Sequence, residues 1–291
     1  MTHFQRRRWL GLAFLAPYAL SFLGFIVLPI VVSAVLSFMQ FDLTAPNATR
    51  FVGSQNFKEA WGDEYFWDGM KATMRFVVLM VPGMLVFAFA AALGLNAMSR
   101  GRSAVRAIIF LPGMLNVAVA AILWRWFYDG QFGFLNFQLK RVGMAPVPWI
   151  DSPTAATPSI VLMSLWWTMG GTTIVLLAAL QQIPRQIIEA AALDGAGRGA
   201  MFRRVVLPLL TPVLLFVVIT TTIGAFQVFG QPFLITNGGP LLSTRGIVQY
   251  IYETAFNNYR MGYGAALSWL LFVVIAAFAL IQYRLMRRSA L

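Results

Sequence analysis

The chain has 291 residues, of which 59% are hydrophobic and only 11% charged, and its mean hydropathy is +0.73. A soluble domain carries about 25% charged residues, so water cannot be the solvent for most of this chain, and lipid must be. The formal net charge of +12 does not make a nucleic-acid face, because the arginines stand at the ends of apolar runs. With no cysteine and a single histidine, His3, the sequence excludes disulfides, thiolate metal sites and histidine-based triads or metal sites.

A helix needs about 20 mostly apolar residues to cross a bilayer. Six stretches qualify, at 10–38, 73–98, 104–127, 158–180, 206–229 and 263–286. Several of them contain a proline (Pro29, Pro82, Pro112, Pro212), which membrane helices tolerate when neighbours re-satisfy the freed carbonyls. The first run follows Arg6, Arg7 and Arg8 and is too long for the apolar region of a secretory signal, about 7–15 residues, so it reads as an uncleaved helix.

Arginines set the orientation. Arg6, Arg7, Arg8, Arg100, Arg102, Arg106, Arg185, Arg198, Arg203, Arg204, Arg284, Arg287 and Arg288 fall in one alternating set of termini and loops, with only Glu189 and Asp194 as acids. The other set holds the remaining basic residues together with the rest of the 10 acids. The first set is therefore expected in the cytoplasm, with both termini. The external segments, 39–72, 128–157 and 230–262, are too short for an independent external domain and carry "FVGSQNF", "VPWIDSP" and "LITNGGPLLSTRG". The expectation is one permease domain over 1–291.

Three membrane functions compete. An intramembrane enzyme needs a nucleophile with a base, or a metal with ligands, and no His, Cys or acid lies within a span. No catalytic or metal-binding residue is assigned. Ion-coupled transporters generally place ionisable groups inside the membrane, whereas Arg75 and Arg125 lie near span ends, where they can snorkel. Sodium sites made of carbonyls and hydroxyls keep that class open. The third class is a permease driven by a partner chain. No P-loop is present, since Lys58, Lys71 and Lys140 sit in no G-x-x-x-x-G-K setting.

Between the fourth and fifth spans lies a polar knot, 181–205, within "QQIPRQIIEAAALDGAGRGAMFRRVVLPLLTPVL". Pro184 can open a short helix, and "RQIIEAAAL" is strong helix former with Ile187, Ile188 and Leu193 as an apolar face. Asp194-Gly195 offers a turn with positive φ at the glycine. A second helix is expected from Gly197–Gly199 through Arg203 and Arg204 into the fifth span. Composition alone also allows a plain interfacial loop whose arginines hold topology.

The order of residues in the knot resembles the EAA motif of ABC importer permeases: Glu189-Ala190-Ala191, Asp194-Gly195-Ala196, Phe202 and Leu207-Pro208. The resemblance is to the carbohydrate-uptake branch, the maltose and glycerol-phosphate permease type. "FVGSQNF", "LLAALQQIP", "GAFQVFGQPFLITNGGP", "IYETAF" and "MGYGAALSWLLF" are similar to that family's landmarks in order and spacing. It implies an all-α membrane protein with six transmembrane helices, the type I ABC importer permease fold, and a cytoplasmic coupling helix that docks on an ATPase. Carried over, Glu189 is the polar contact, Ala190 and Ala191 allow close approach, Gly195 turns the chain, and Asp194 caps the second helix or pairs with a base.

The implied partners are a second permease subunit, a homodimeric ATPase that holds ATP and Mg, and an extracytoplasmic solute-binding protein. This chain itself would bind no cofactor. The implied activity is alternating-access import of a sugar, most simply a di- or oligosaccharide, across a prokaryotic plasma membrane. Glycerol-3-phosphate or another polyol phosphate is the alternative, followed by an ion-coupled secondary transporter. Relatives bind sugar near mid-membrane, where aromatic faces and neutral hydrogen-bonding groups suffice. Candidates are Asn116, Trp166, Trp167, Thr168, Thr172, Thr173, Thr220, Thr221, Thr222, Gln227, Ser268 and Trp269. Each has a structural alternative: backbone bonding for the hydroxyls and interfacial anchoring for a tryptophan near a span end, although Trp166 and Trp167 sit too central for that. Gly170-Gly171 reads as helix packing. The turn Asn237–Pro240 lies where relatives meet the binding protein. One departure stands out: relatives often have an acid after the phenylalanine at the fifth-span exit, and here Phe229 precedes Gly230.

Overall fold

The structure, a computed structural model, describes residues 14–42, 44, 47 and 49–289, with residues 287–289 as backbone. His3, Arg6, Arg7, Arg8, the side chains of Arg287 and Arg288, and the expected start of the first span lie outside the described residues. In chain order come helix α1 (Phe14–Ser37), strands β1 (Met39–Gln40) and β2 (Arg50–Phe51), α2 (Gln55–Gly62) and α3 (Glu64–Ala97). Then follow α4 (Arg102–Phe110), α5 (Val117–Phe127), α6 (Phe134–Arg141), α7 (Ala156–Gln181), α8 (Arg185–Leu193) and α9 (Arg198–Phe226). The chain ends with α10 (Gly230–Thr236), α11 (Ile247–Tyr252) and α12 (Met261–Ser289).

Five helices, α1, α3, α7, α9 and α12, are long and apolar enough to cross a membrane, and α4 with α5 forms a sixth candidate. Helices are the form such segments take because hydrocarbon offers no partner to an unpaired N–H or C=O. Two differences from the sequence expectation concern shape. Helix α3 begins at Glu64, before the apolar run at 73, so the span is the inner part of a 34-residue rod. The third span, expected at 104–127, is no single rod: it passes through a 3₁₀ turn at Leu111–Met114 and bends by 101° before Val117.

Two spans widen into a π-turn, Leu23–Val27 in α1 and Phe202–Val206 in α9. A proline follows shortly after each, Pro29 and Pro208. A proline ring collides with the carbonyl four residues back and has no N–H to give it. An extra residue in the preceding turn relieves that collision and keeps the helix continuous.

The chain divides into two compact units: the described residues up to Phe66 with Ile251–Phe272, and Trp67–Tyr250 with the chain from Val273 onward. In the first unit the β1–β2 hairpin pairs Met39 with Phe51 and Gln40 with Arg50. Asn56, buried in the "FVGSQNF" stretch, donates from its amide to the Ser37 carbonyl (2.9 Å) and the Met39 carbonyl (3.0 Å). The Ser37 carbonyl at the end of α1 has no helical partner, so Asn56 closes the helix exit and ties it to β1. Arg260 donates to both carboxylate oxygens of Glu59 (2.7 and 2.8 Å) and lies over the Tyr263 ring, whose hydroxyl donates to Asp63 (2.6 Å). Gly262 passes so close to the Met39 carbonyl that a Cβ there would overlap it.

The second unit is organised around α7, half of whose most apolar window is buried, against none of that of α1. In lipid there is no hydrophobic drive between helices, so close backbone approach through small residues holds them together. Ala88 and Ala92 on α3 and Ala120 and Ala121 on α5 are fully buried. Gly170 on α7 lets α4 cross so closely that an added Cβ would stand 2.6 Å from the Ile109 carbonyl oxygen and 2.8 Å from the Phe110 Cα. Its neighbour Gly171 faces open space. Arg102 caps the end of α3, donating to the Leu95 and Asn96 carbonyls at 2.8 Å each, so an arginine that reads as a topology signal also satisfies a helix end.

Two stability predictions follow from these contacts. Gly170→Ala should destabilise by about 1–3 kcal/mol through overpacking, while Gly171→Ala stays within about 0.5 kcal/mol. Asn56→Ala strands two carbonyls and should cost about 1–3 kcal/mol. Thermal unfolding of the detergent-solubilised protein checks all three, and equal behaviour of the two glycine variants would contradict the packing account.

Candidate functional site: a surface helix and a threonine-lined cavity

The polar knot folds as two helices joined by a tight turn. Pro184, extended at φ −60° and ψ 132°, is the N-cap of α8. At the other end Asp194 is the C-cap and Gly195 takes φ +80°. The Ala196 N–H donates to the Ala191 carbonyl (3.0 Å) and the Gly195 N–H to the Ala192 carbonyl (3.1 Å). This pair of bonds is the Schellman closure, which needs a left-handed residue at the position glycine fills. Helix α9 then starts from Gly197 with no side-chain cap, so the second helix is not capped by Asp194.

No residue of α8 is buried, and Leu193 is 89% exposed. Glu189 and Ala190 face outward, and Ala191 and Ala196 are half-buried. The structure thus presents Glu189, Ala190 and Ala191 on one short helix whose apolar side chains lack cover. Phe202, one turn into α9, packs its ring 5.9 Å from that of Phe89 on α3 and anchors the knot to the spans.

A cavity of about 270 Å³ opens among α3, α7, α9 and α10. Thr168 and Thr172 of α7 and Thr220 and Thr221 of α9 line it, with Ser164, Gln231, Phe76, Met80, Met84 and apolar residues beside them. The Thr168 hydroxyl donates to the Ser164 carbonyl (2.7 Å) and that of Thr220 to the Phe216 carbonyl (2.8 Å). Their oxygens keep acceptor capacity toward the cavity. Its lining carries four threonines, a serine and a glutamine but no charged residue, so it suits a neutral polar solute. Gln231, Met80 and Met84 did not stand out in the sequence. A lone glutamine just past a span and the i, i+4 series Phe76, Met80, Met84 were the available signals.

The other sequence candidates lie elsewhere. Asn116 is the N-cap of α5, its side-chain oxygen accepting from the Ala118 N–H (2.9 Å). The Trp167 indole N–H donates to the Leu115 carbonyl (3.0 Å). Both residues therefore serve the break between α4 and α5, where extended backbone leaves polar groups open inside a span. Trp166 packs against Trp124, ring centres 5.6 Å apart and planes tilted by 59°. Thr173 is buried and donates to the Met169 carbonyl, and Thr222 accepts from the Gln282 amide (2.8 Å). Gln227 is the exposed C-cap of α9, outside the cavity lining. Ser268 and Trp269 belong to the other unit, beside an apolar cleft with Pro29, Ile30, Ser33 and Phe272. At Gly230 a Cβ would meet Val117 at 3.2 Å, so α10 sits against the start of α5 where a larger residue would push it away.

The family described as binding-protein-dependent transport system inner membrane component matches residues 84–290. The probable ABC transporter permease protein YesP of Bacillus subtilis (strain 168) is 37% identical over 280 residues, 94% of this chain and 89% of YesP. The trehalose/maltose transport system permease protein MalF of Thermococcus litoralis is 33% identical over 285 residues, 97% of this chain and 95% of MalF. A chain from the crystal structure of a bacterial alginate ABC transporter, in complex with alginate pentasaccharide-bound periplasmic protein, matches with a TM-score of 0.85. That match is 25% identical and covers 98% of this chain and 96% of the other. The resemblance carried by the Glu189-Ala190-Ala191 stretch thus extends to the whole chain, which belongs to the binding-protein-dependent transport system inner membrane component family, the permeases of ABC importers, and has their type I fold.

Proposed function

We propose that this chain is the membrane-spanning subunit of an ATP-driven sugar importer, with α8 as the handle through which a separate ATPase moves it. The observation that carries the proposal is α8 itself: a short exposed helix with Glu189, Ala190 and Ala191 on it, set between two spans. The Gly195 turn joins it to a helix that continues into the membrane. Ala190 and Ala191 allow close approach, Glu189 supplies a polar contact, and Asp194, Gly195 and Ala196 form the turn that fixes the angle. The arginine distribution supports placing α8 and both termini in the cytoplasm.

Alternating access then has a physical route. ATP binding closes a homodimeric ATPase, α8 moves with it, and α9 passes the movement to Thr220 and Thr221 at the cavity. A second permease subunit completes the pathway, and an extracytoplasmic binding protein delivers the solute. The names of MalF and of the alginate transporter support a sugar, and so does the cavity, whose hydroxyl and amide lining fits hydroxyl-rich neutral solutes better than a phosphate. On this reading the chain hydrolyses nothing, and ATP and Mg belong to the ATPase.

Uptake by proteoliposomes holding the chain, its ATPase and its binding protein tests the handle. Glu189→Lys should lower ATP-driven uptake by about tenfold or more, the effect of losing a docking contact of about 1.4 kcal/mol or more, and should weaken co-purification of the ATPase. Unimpaired uptake with normal assembly would overturn the assignment. Thr221→Val removes one hydroxyl at nearly constant volume and should raise the apparent KM for sugar roughly two- to tenfold, the range of one hydrogen bond. A phosphorylated ligand on the cognate binding protein would overturn the neutral-sugar reading and leave the handle untouched.

A further inference from the structure

The short helix α6 sits beyond the end of α5 and takes no part in the cavity or the handle. Its orientation is fixed from within. Asn136 is buried and fully engaged: its amide donates to the Val147 carbonyl (3.0 Å), and its oxygen accepts from the Val147 N–H (2.9 Å) and the Trp149 indole (3.0 Å). The approach to the helix is fixed as well. The N–H groups of Phe132 and Gln131 donate to the Asp129 carboxylate and hold its pKa below the ordinary range. With Asn136 turned inward, Phe134, Phe137 and Arg141, spaced i, i+3 and i+7, form the outward stripe.

That stripe is apolar and cationic together. Phe137 is 57% exposed, Val142 71% and Phe132 79%, and Lys140 and Arg141 are exposed beside them, with Arg141 over the Phe137 ring at 5.9 Å. Large aromatic surface rimmed by cations does not stay in water without a partner. The rings show what it joins: Trp126 contacts Phe127 at 5.4 Å, and Phe127 contacts Phe134 at 5.6 Å. Trp126 in turn ends an exposed stripe of α5, Val119, Ile122 and Trp126, on a segment of the membrane-crossing pair. The outward face of α6 therefore continues the exposed apolar stripe of the membrane-crossing pair beyond the end of α5. Aromatic rings with nearby Lys or Arg are the composition that settles at the headgroup layer.

We propose that α6 is an interfacial helix that docks on the phospholipid headgroup layer, with Phe134 and Phe137 inserted below the headgroups and Lys140 and Arg141 selecting anionic ones. This fixes the rotation of α5 relative to the bilayer and clamps the broken span from its outer end.

The chain contains no cysteine, so single-site labelling of the full chain tests the proposal directly. Phe137→Cys and, separately, Val142→Cys are labelled with an environment-sensitive fluorophore. The assembled permease is then reconstituted in phosphatidylglycerol vesicles containing spin-labelled lipid quenchers, shallow or deep in the acyl chain, or exposed to aqueous iodide. The expected result is strong quenching by the shallow lipid, less by the deep one, and little by iodide. The double substitution K140E/R141E, read through the Val142 label, should reduce that quenching by about twofold or more in phosphatidylglycerol and not in phosphatidylcholine. Dominant iodide quenching would place the face in water, and protection from both quencher types would place it under a protein partner; either overturns the proposal. Equal quenching of the unsubstituted protein in both lipids would overturn the anionic preference.

Discussion

The proposed coupling of α8 to the cavity depends on one mechanical constraint, the continuity of α9. A single helix, Arg198–Phe226, begins in the polar knot and ends beside the cavity. At about 1.5 Å per residue, roughly 30 Å of it separates Phe202 from Thr221. The helix contains Pro208 and Pro212, either of which could break it, and the π-turn at Phe202–Val206 keeps the run intact across the first of them. A break there would separate the handle from the threonines. The Gly195 turn matters for the same reason, since its left-handed backbone joins α8 to α9 without slack residues.

The second constraint is the solvent. Inside hydrocarbon every polar backbone group needs a partner from the protein, and this decides where many polar side chains go. Asn116 and Trp167 serve the break between α4 and α5, Thr168 and Thr220 bond back to their own helices, and Asn56 closes the end of α1. What remains to line the cavity is the residual acceptor capacity of hydroxyl groups and a few side chains such as Gln231. The charge-free cavity follows from that economy.

Much of this was legible in the sequence. The apolar runs located the spans, because length and composition alone decide whether a segment can cross lipid. The helix–turn–helix of the knot was legible because Pro184, the alanine-rich helix and Asp194-Gly195 are local signals with local causes. Other features were not legible, because they depend on what stands opposite in space. Gly170 and Gly171 look alike in the chain, yet only the first has a backbone against it. At the 101° bend Trp167 reaches the Leu115 carbonyl across 52 positions of sequence, and Asn116 caps the helix that follows. Among the hydroxyl candidates, Thr168, Thr172 and Thr221 share a cavity while Thr173, one position from Thr172, is buried against its own helix. Of the polar candidates at helix ends, Asn116 caps α5 with its side chain, and Gln227 stands exposed at the C-cap position of α9.

The most direct test of the central claim is to interrupt α9 near its start, between the short helix α8 and the span. Two glycines inserted after Ala200 leave Glu189, Gly195 and the cavity threonines chemically unchanged but put a flexible joint in the helix. ATP-driven sugar uptake is then measured alongside co-purification of the ATPase. The predicted result is an ATPase that still binds and hydrolyses ATP while uptake is lost. Uptake that persists at the unmodified rate, with assembly intact, would contradict it.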